Sequence, residues 1–252
     1  MAYNTARPDR AAWLKGGEVH CDIAPDGPHH PRRMVLLGAP GVGKGTQADL
    51  LASRFGLCHL STGDVFRDAK KGSECGRTPT MIFALEHMRV GELVPDEIIL
   101  NLIVERSRCL RCKGGYVLDG FPRTAAQAEA LDKLMTSQDV RLDTVLNYEL
   151  PVQTLLLRLG GRRTCPACQA VFHIATHPPK KSDCCDRCGT RLVQREDDYP
   201  ECIRVRLKAY RRTSGPLVVF YRKKGILISI NAEGSSEEVF ERTLLALQKR
   251  QG

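Results

Sequence analysis

The sequence predicts an α/β fold, a parallel sheet covered by helices on both faces. Three observations carry that expectation. Short apolar runs without polar alternation read as strands buried on both sides: Met34-Val35-Leu36-Leu37, Gly115-Tyr116-Val117-Leu118, Thr144-Val145-Leu146 and Gly225-Ile226-Leu227-Ile228-Ser229-Ile230. Stretches of helical spacing separate them, near 47–55, 64–70, 77–90, 96–108, 124–135, 151–160, 199–213 and 236–249. The first strand also empties into a glycine-rich turn that leads straight into a helix, the junction where open parallel sheets hold ligands.

Composition sets the outer limits. At 252 residues, 42% hydrophobic and 27% charged, the chain is no disordered polymer. No run approaches the ~18 apolar residues needed to cross a bilayer. Thirty-eight basic against 29 acidic residues leave a net charge of +9, which suits an anionic partner without naming it. Eleven cysteines, several in close pairs, fit thiols and metal ligands in a reducing compartment better than a disulfide framework.

Residues 1–33 come first and differ from the rest. Their five basic residues (Arg7, Arg10, Lys15, Arg32, Arg33) against four acidic (Asp9, Glu18, Asp22, Asp26) do not supply the excess charge. They lack the apolar segment of a secretory signal, and the acids argue against a transit peptide, so a cytoplasmic location is expected. A flexible extension with one docking contact through Trp13-Leu14 is the reading here.

The turn after the first strand is Gly38-Ala39-Pro40-Gly41-Val42-Gly43-Lys44-Gly45-Thr46. Its glycines let successive backbone N–H groups close around an anion, and the helix that follows adds its positive end. Lys44 supplies a point charge for β- and γ-phosphates. The position that normally carries a magnesium-binding hydroxyl is Gly45, and the hydroxyl arrives one residue later at Thr46, so magnesium is expected to lack that direct ligand. Farther on, Asp119 ends the strand Tyr116-Val117-Leu118 and is the expected magnesium partner through water. Pro95 suits the first turn of a helix.

Residues 161–195 break the alternation and read as an inserted subdomain. Sixteen residues separate Cys165-x-x-Cys168 from Cys185-x-x-Cys188, within the spacing of a closed tetrahedral zinc site. An insert this small has little core of its own, so structural zinc would supply folding energy directly. Cys184 is a spare thiol in this register, and His173 and His177 are weaker ligand candidates. Cys109-x-x-Cys112 has no partner pair at metal spacing and reads as incidental thiols.

Gly-Lys-Gly-Thr at 43–46 is where the chain first resembles the adenylate kinases, and the resemblance continues from about residue 34 to about 245. Leu60-Ser61-Thr62-Gly63-Asp64 with Arg67 resembles that family's opening of the monophosphate site. Gly91-Glu92-Leu93-Val94-Pro95-Asp96 resembles the segment that closes over the acceptor base. Asp119-Gly120-Phe121-Pro122-Arg123-Thr124 with Gln127 is similar to its most specific signature. Gly161-Arg162-Arg163, Arg195 with Asp197-Asp198, and Arg204-Val205-Arg206-Leu207 follow in family order. Asn231-Ala232 departs from it, where Asp-Gly is usual, and this leaves the donor-base contacts open.

The resemblance implies a five-stranded parallel sheet, with core segments 34–62, 93–160 and 198–252. It also implies an inserted helical monophosphate-binding segment 63–92 and a small zinc-binding β lid 161–197. The implied reaction is MgATP + AMP ⇌ MgADP + ADP. ATP would lie on Gly41, Val42, Gly43, Lys44, Gly45, Thr46 and Arg162. AMP would lie on Thr62, Arg67, Glu92, Leu93, Val94, Gly120, Arg123, Gln127, Arg195 and Arg206. Lys44, Asp119, Arg123, Arg158, Arg162, Arg195 and Arg206 would form the catalytic set. Phosphoryl transfer asks for little beyond alignment and positive charge, and guanidinium groups supply both. A monomer that binds neither nucleic acid nor membrane is expected. Two rival classes, a zinc-ribbon nucleic-acid-binding protein and a P-loop nucleotide switch, lack respectively a set of stacking aromatics and a need for two phosphate sites.

Overall fold

The computed structural model describes Trp13 and residues 32–71, 79–90, 92–112 and 114–250, with the backbone alone for 67–71, 79–81 and 108. Most of the 1–33 extension, Gly91 and the Arg67 side chain lie outside the described residues. Five strands form one parallel sheet in the order β2-β3-β1-β4-β7. They are β1 (Arg32–Gly38), β2 (Cys58–Ser61), β3 (Gly115–Asp119), β4 (Thr144–Glu149) and β7 (Leu227–Asn231). β5 (Arg162–Thr164) and β6 (Val171–His173) make a separate antiparallel pair.

Alternation along the strands divides the interior in two. Val35 and Leu37 of β1 join Leu60, Tyr116 and Leu118 on one face. Met34 and Leu36 join Val117, Leu146 and Tyr148 on the other. Successive side chains point to opposite faces, so a strand covered on both sides must be apolar throughout. The first cluster is closed by α2 (Thr62–Lys71), α4 (Asp96–Glu105), α5 (Ala125–Ser137) and the end of α7 (Pro200–Lys223). α1 (Lys44–Phe55), α6 (Val152–Gly160), the start of α7 and α8 (Ser236–Lys249) close the second. α3 (Pro79–Val90) lies against α2.

Helix ends follow local chemistry. Thr124 caps α5 by accepting from the Gln127 amide at 3.2 Å, and Ser235 with Glu238 forms a reciprocal capping box on α8. Gly56, at φ 66°, ends α1 in the left-handed conformation that glycine adopts freely.

Three elements differ from the sequence reading. β1 begins at Arg32, because Arg32 and Arg33 pair with Gly115 and Tyr116 and the Arg32 guanidinium lies over the Phe55 ring. β2 escapes the periodicity because Cys-His-Leu-Ser carries a single aliphatic residue; its register, Cys58 opposite Tyr116 through Ser61 opposite Asp119, is set by its neighbour. The helix expected to stop at 213 continues through Pro216 to Lys223. An internal proline costs about 3 kcal/mol, and burying Leu217, at about 1.5–3 kcal/mol, with the Tyr221 ring one turn later offsets it. Among the described residues, no helix is long and apolar enough to cross a membrane.

Candidate active site

The glycine-rich turn hangs between β1 and α1. Gly38, Gly41 and Gly43 all have positive φ, and a Cβ on Gly41 would lie 2.7 Å from the Leu159 side chain. The turn is held open by a backbone that other residues rarely adopt. Gly43 precedes the first residue of α1 and offers no side-chain cap, so the first amides of the helix face the turn. Lys44 donates through Nζ to the Gly38 and Ala39 carbonyls at 2.7 and 3.0 Å. Burial pulls its ammonium down to about 8, with Asp119 opposing and Arg123, Arg206 and Arg162 adding to the fall.

Asp119 stands at the carboxyl end of β3, and a Cβ on Gly45 would sit 3.6 Å from its Oδ2. Burial alone would raise its pKa. His59, Lys44 and Arg123 outweigh that effect, and the carboxyl stays below its ordinary value as an anion. His59 is 4% exposed, with Nδ1 2.8 Å from Asp49 Oδ1 and Nε2 3.7 Å from Asp119 Oδ2. His59 leaves no mark in the sequence pattern, because one polar residue in a four-residue strand carries no periodic signal.

A cleft of about 1000 Å³, open to solvent, starts at the turn. Lys44, Gly120, Glu92, Leu93, Arg123, Arg195 and Arg206 all line it. The structure thus brings together residues from 44 to 206 that the sequence reading grouped as one site. Gly120, at φ +85°, presses on the start of α2, since a Cβ there would meet Thr62 Oγ1 at 2.7 Å and Arg123 Nη2 at 3.5 Å. Arg123 donates from Nε to the Gly120 carbonyl at 2.7 Å and from its amide to Gln127 Oε1 at 2.7 Å. Gln127 is 2% exposed and its Nε2 donates to Asp96 Oδ1, while Thr124 donates to Asp96 Oδ2. Both ends of the Gln127 amide therefore serve the Arg123 loop and α4. Thr62 and Val94 are buried beside the cleft, Val42 is buried in the turn, and Thr46 is exposed on α1. Glu92 pairs with His87 at 3.0 Å.

Two arginines depart from a simple ring around the cleft. Arg158 reaches back to the Val42 carbonyl at 3.2 Å and to the Ala232 and Gly234 carbonyls at 3.1 Å, bracing the glycine turn against the β7–α8 loop. Arg162 is held by Asp198 through Nε at 2.6 Å and Nη2 at 2.5 Å. The same carboxylate accepts from Arg206 Nη1 at 2.9 Å, and Asp197 lies 3.0 Å from that nitrogen. Asp198 is fully buried, so one carboxylate aligns two guanidiniums from different elements. Arg195 donates to Thr164 Oγ1 at 3.0 Å.

The four cysteine thiols of the insert lie within 4.8 Å of one another. Cys165 and Cys188 sulfurs are 3.4 Å apart, and those of Cys168 and Cys185 3.5 Å. A tetrahedral thiolate site with metal–sulfur bonds of about 2.3 Å has edges of roughly 3.8 Å, so the set fits one ion. The two halves repeat one geometry. Gln169 N–H bonds to Cys165 O and Gly189 N–H to Cys185 O, both residues having positive φ. Cys165 N–H bonds to Ala170 O and Cys185 N–H to Thr190 O. Cys184 turns its thiol to the Gly189 carbonyl at 3.2 Å instead. His173 is occupied by the amides of Ala175 and Thr176, and His177 stacks on Phe172. Cys112 lies 3.7 Å from Cys58, buried under the main sheet and far from this cluster in the fold.

An anion cradle, a buried carboxylate and a set of guanidiniums around one cleft can align two anionic groups end to end. The comparisons with known proteins agree with that geometry. The sequence profile described as "Adenylate kinase" matches residues 36–226. Proteins named adenylate kinase from Carboxydothermus hydrogenoformans and Caldicellulosiruptor saccharolyticus are 46% and 45% identical over 217 and 216 residues, covering 86% and 85% of this chain and 100% and 98% of theirs. The one from Archaeoglobus fulgidus is 42% identical over 217 residues, 86% of this chain and 98% of its own. With the glycine turn, the Asp119–Arg123 loop and the arginine pair on Asp198 all inside the matched span, the chain belongs to the adenylate kinase family.

Proposed function

We propose that the protein catalyses MgATP + AMP ⇌ MgADP + ADP by direct in-line transfer, with ATP on the 41–46 turn and AMP between α2, the 92–94 segment and Arg123. The observation that carries this reading is that Lys44, Arg123, Arg195 and Arg206 line one cleft while coming from four separate parts of the chain, two helices and two loops. A single nucleotide needs fewer cationic groups; two facing polyanions need them all.

In this reading Lys44 leaves its own turn to meet the donor phosphates, and Arg162, held with Arg206 by Asp198, meets them from above. Arg123 and Arg67 grip the acceptor phosphate, and planar guanidiniums fit it in a bidentate way that lysine does not. Thr62 and Gln127 read the adenine, with Gln127 exchanging Asp96 for the base. Arg195 neutralises charge that builds on the transferring group. Arg158 acts by bracing the turn. Segment 63–92 closes over the acceptor and 161–197 over the donor, excluding water from the phosphates.

Magnesium, when bound with ATP, shields the phosphate charge. The ionised Asp119, next to a glycine at position 45, suits a hydrated ion in that place. The four-cysteine cluster suits structural zinc, since it offers no open ligand position. Purified protein given ADP and magnesium is expected to accumulate ATP and AMP in equal amounts, followed by chromatography. Absence of both products defeats the reading, and conversion of ATP alone to ADP assigns a hydrolytic switch instead.

A further inference from the structure

We propose that Trp13 is a positioning residue for the acceptor nucleotide, tying the point where the acceptor segment leaves the core to the far end of α4, the helix that follows its return; this rests on the kinase reading above. Trp13 lies outside the span matched by the family profile, yet its side chain is 1% exposed and belongs to the main apolar cluster. Its indole N–H donates to the Ser61 carbonyl at 2.9 Å. Its own carbonyl accepts from Arg106 Nε at 2.7 Å. A residue of the N-terminal extension thus bridges points 48 and 93 positions away in sequence.

Those two points are not arbitrary. Ser61 closes β2, and its hydroxyl accepts from the Asp64 amide at 3.2 Å in the first turn of α2. Thr62 and Gly63 follow directly, and the Gly120–Arg123 loop packs on them without room for one added carbon. Arg106 ends α4, where its guanidinium also holds the Leu102 carbonyl and the Glu105 carboxylate. α4 starts at Asp96, which orients Thr124 and Gln127. Val65 and Phe66 of α2 and Ile103 of α4 share the apolar cluster with the indole. A shift at Ser61 is therefore passed to Arg123 by direct packing, and small misplacements of a phosphate clamp carry large kinetic penalties. Tryptophan suits the role, offering a large apolar body and a single N–H donor.

Trp13 is the only tryptophan of the chain, so its fluorescence in the full-length wild-type protein reports on this contact alone. The expected emission is that of a buried indole, protected from acrylamide, and AMP perturbs it while ATP does not. In kinetics, Trp13→Ala raises KM for AMP by at least the roughly three- to tenfold of one lost buried hydrogen bond and lowers kcat through Arg123, with KM for ATP unchanged. Trp13→Phe keeps an aromatic ring in the pocket and loses only the N–H, so its KM for AMP rises about three- to tenfold and its kcat falls less than in Trp13→Ala. Emission of a solvent-exposed indole, an unchanged KM for AMP in both variants, or equal losses for both nucleotides overturns the proposal. A wild-type protein that forms no ATP from ADP instead overturns the kinase reading, independently of where the indole lies.

Discussion

Lys44→Ala lowers kcat/KM for ATP by about 10²–10³-fold, the usual loss when one aligned electrostatic donor is removed from the developing charge. The fold survives the change, because Lys44 is half-buried at the edge of an open cleft and partial desolvation already pulls its pKa down to about 8. That value also sets a pH profile. As pH rises through about 8 the free enzyme loses the Lys44 proton, and kcat/KM for ATP falls along that limb. In the unfolded chain the lysine stays protonated to about 10.4. Between those values the unfolded state binds more protons at this site, so its contribution to stability rises with pH. Activity and stability then move in opposite directions, and circular dichroism recorded alongside the rates separates loss of charge from unfolding. A flat profile in wild type, or full activity in Lys44→Ala, contradicts this role.

Cys165→Ser/Cys168→Ser abolishes stoichiometric metal and melts the 161–197 insert well before the core. The insert buries only Cys165, Ala170, Phe172, Cys185 and Leu192 in its own cluster. Structural zinc contributes about 10–16 kcal/mol in isolated zinc-finger peptides, far more than five small contacts can supply. Arg162 and Arg195 lie within this segment, so kcat falls steeply when it loosens. The AMP side is built from α2, the 92–94 segment and the Arg123 loop, and its affinity changes much less. Metal analysis, calorimetry and AMP titration of the same samples test all three. Equal metal in variant and wild type, or a single melting transition unchanged in temperature, counts against a metal-held lid.

The sheet and the phosphate turn were legible because both depend on short-range patterns. Apolar runs of four residues, glycines at fixed intervals and a lysine at a helix start act locally. The cysteine register was legible for the same reason, as each C-x-x-C closes its own turn. What escaped depends on partners distant in sequence. β2 is a strand because β3 lies beside it, and α7 runs through Pro216 because Leu217 and Tyr221 find buried places. His59 behind Asp119 could not be told from a core histidine, and Asp198 showed no sign that it would hold both Arg162 and Arg206. Arg158, expected in the catalytic set, has its guanidinium shared among three backbone carbonyls. The Trp13–Ser61 bond spans 48 positions and leaves no trace in either local pattern.

Simultaneous occupation of the cleft by two nucleotides is the claim on which the mechanism depends. Titration calorimetry with two adenosines joined through five phosphates tests it most directly. The ligand is expected to bind one per chain, far more tightly than ATP or AMP alone, and to be displaced by either. Affinity no greater than that of ATP, or mutual displacement of ATP and AMP, contradicts a two-site cleft.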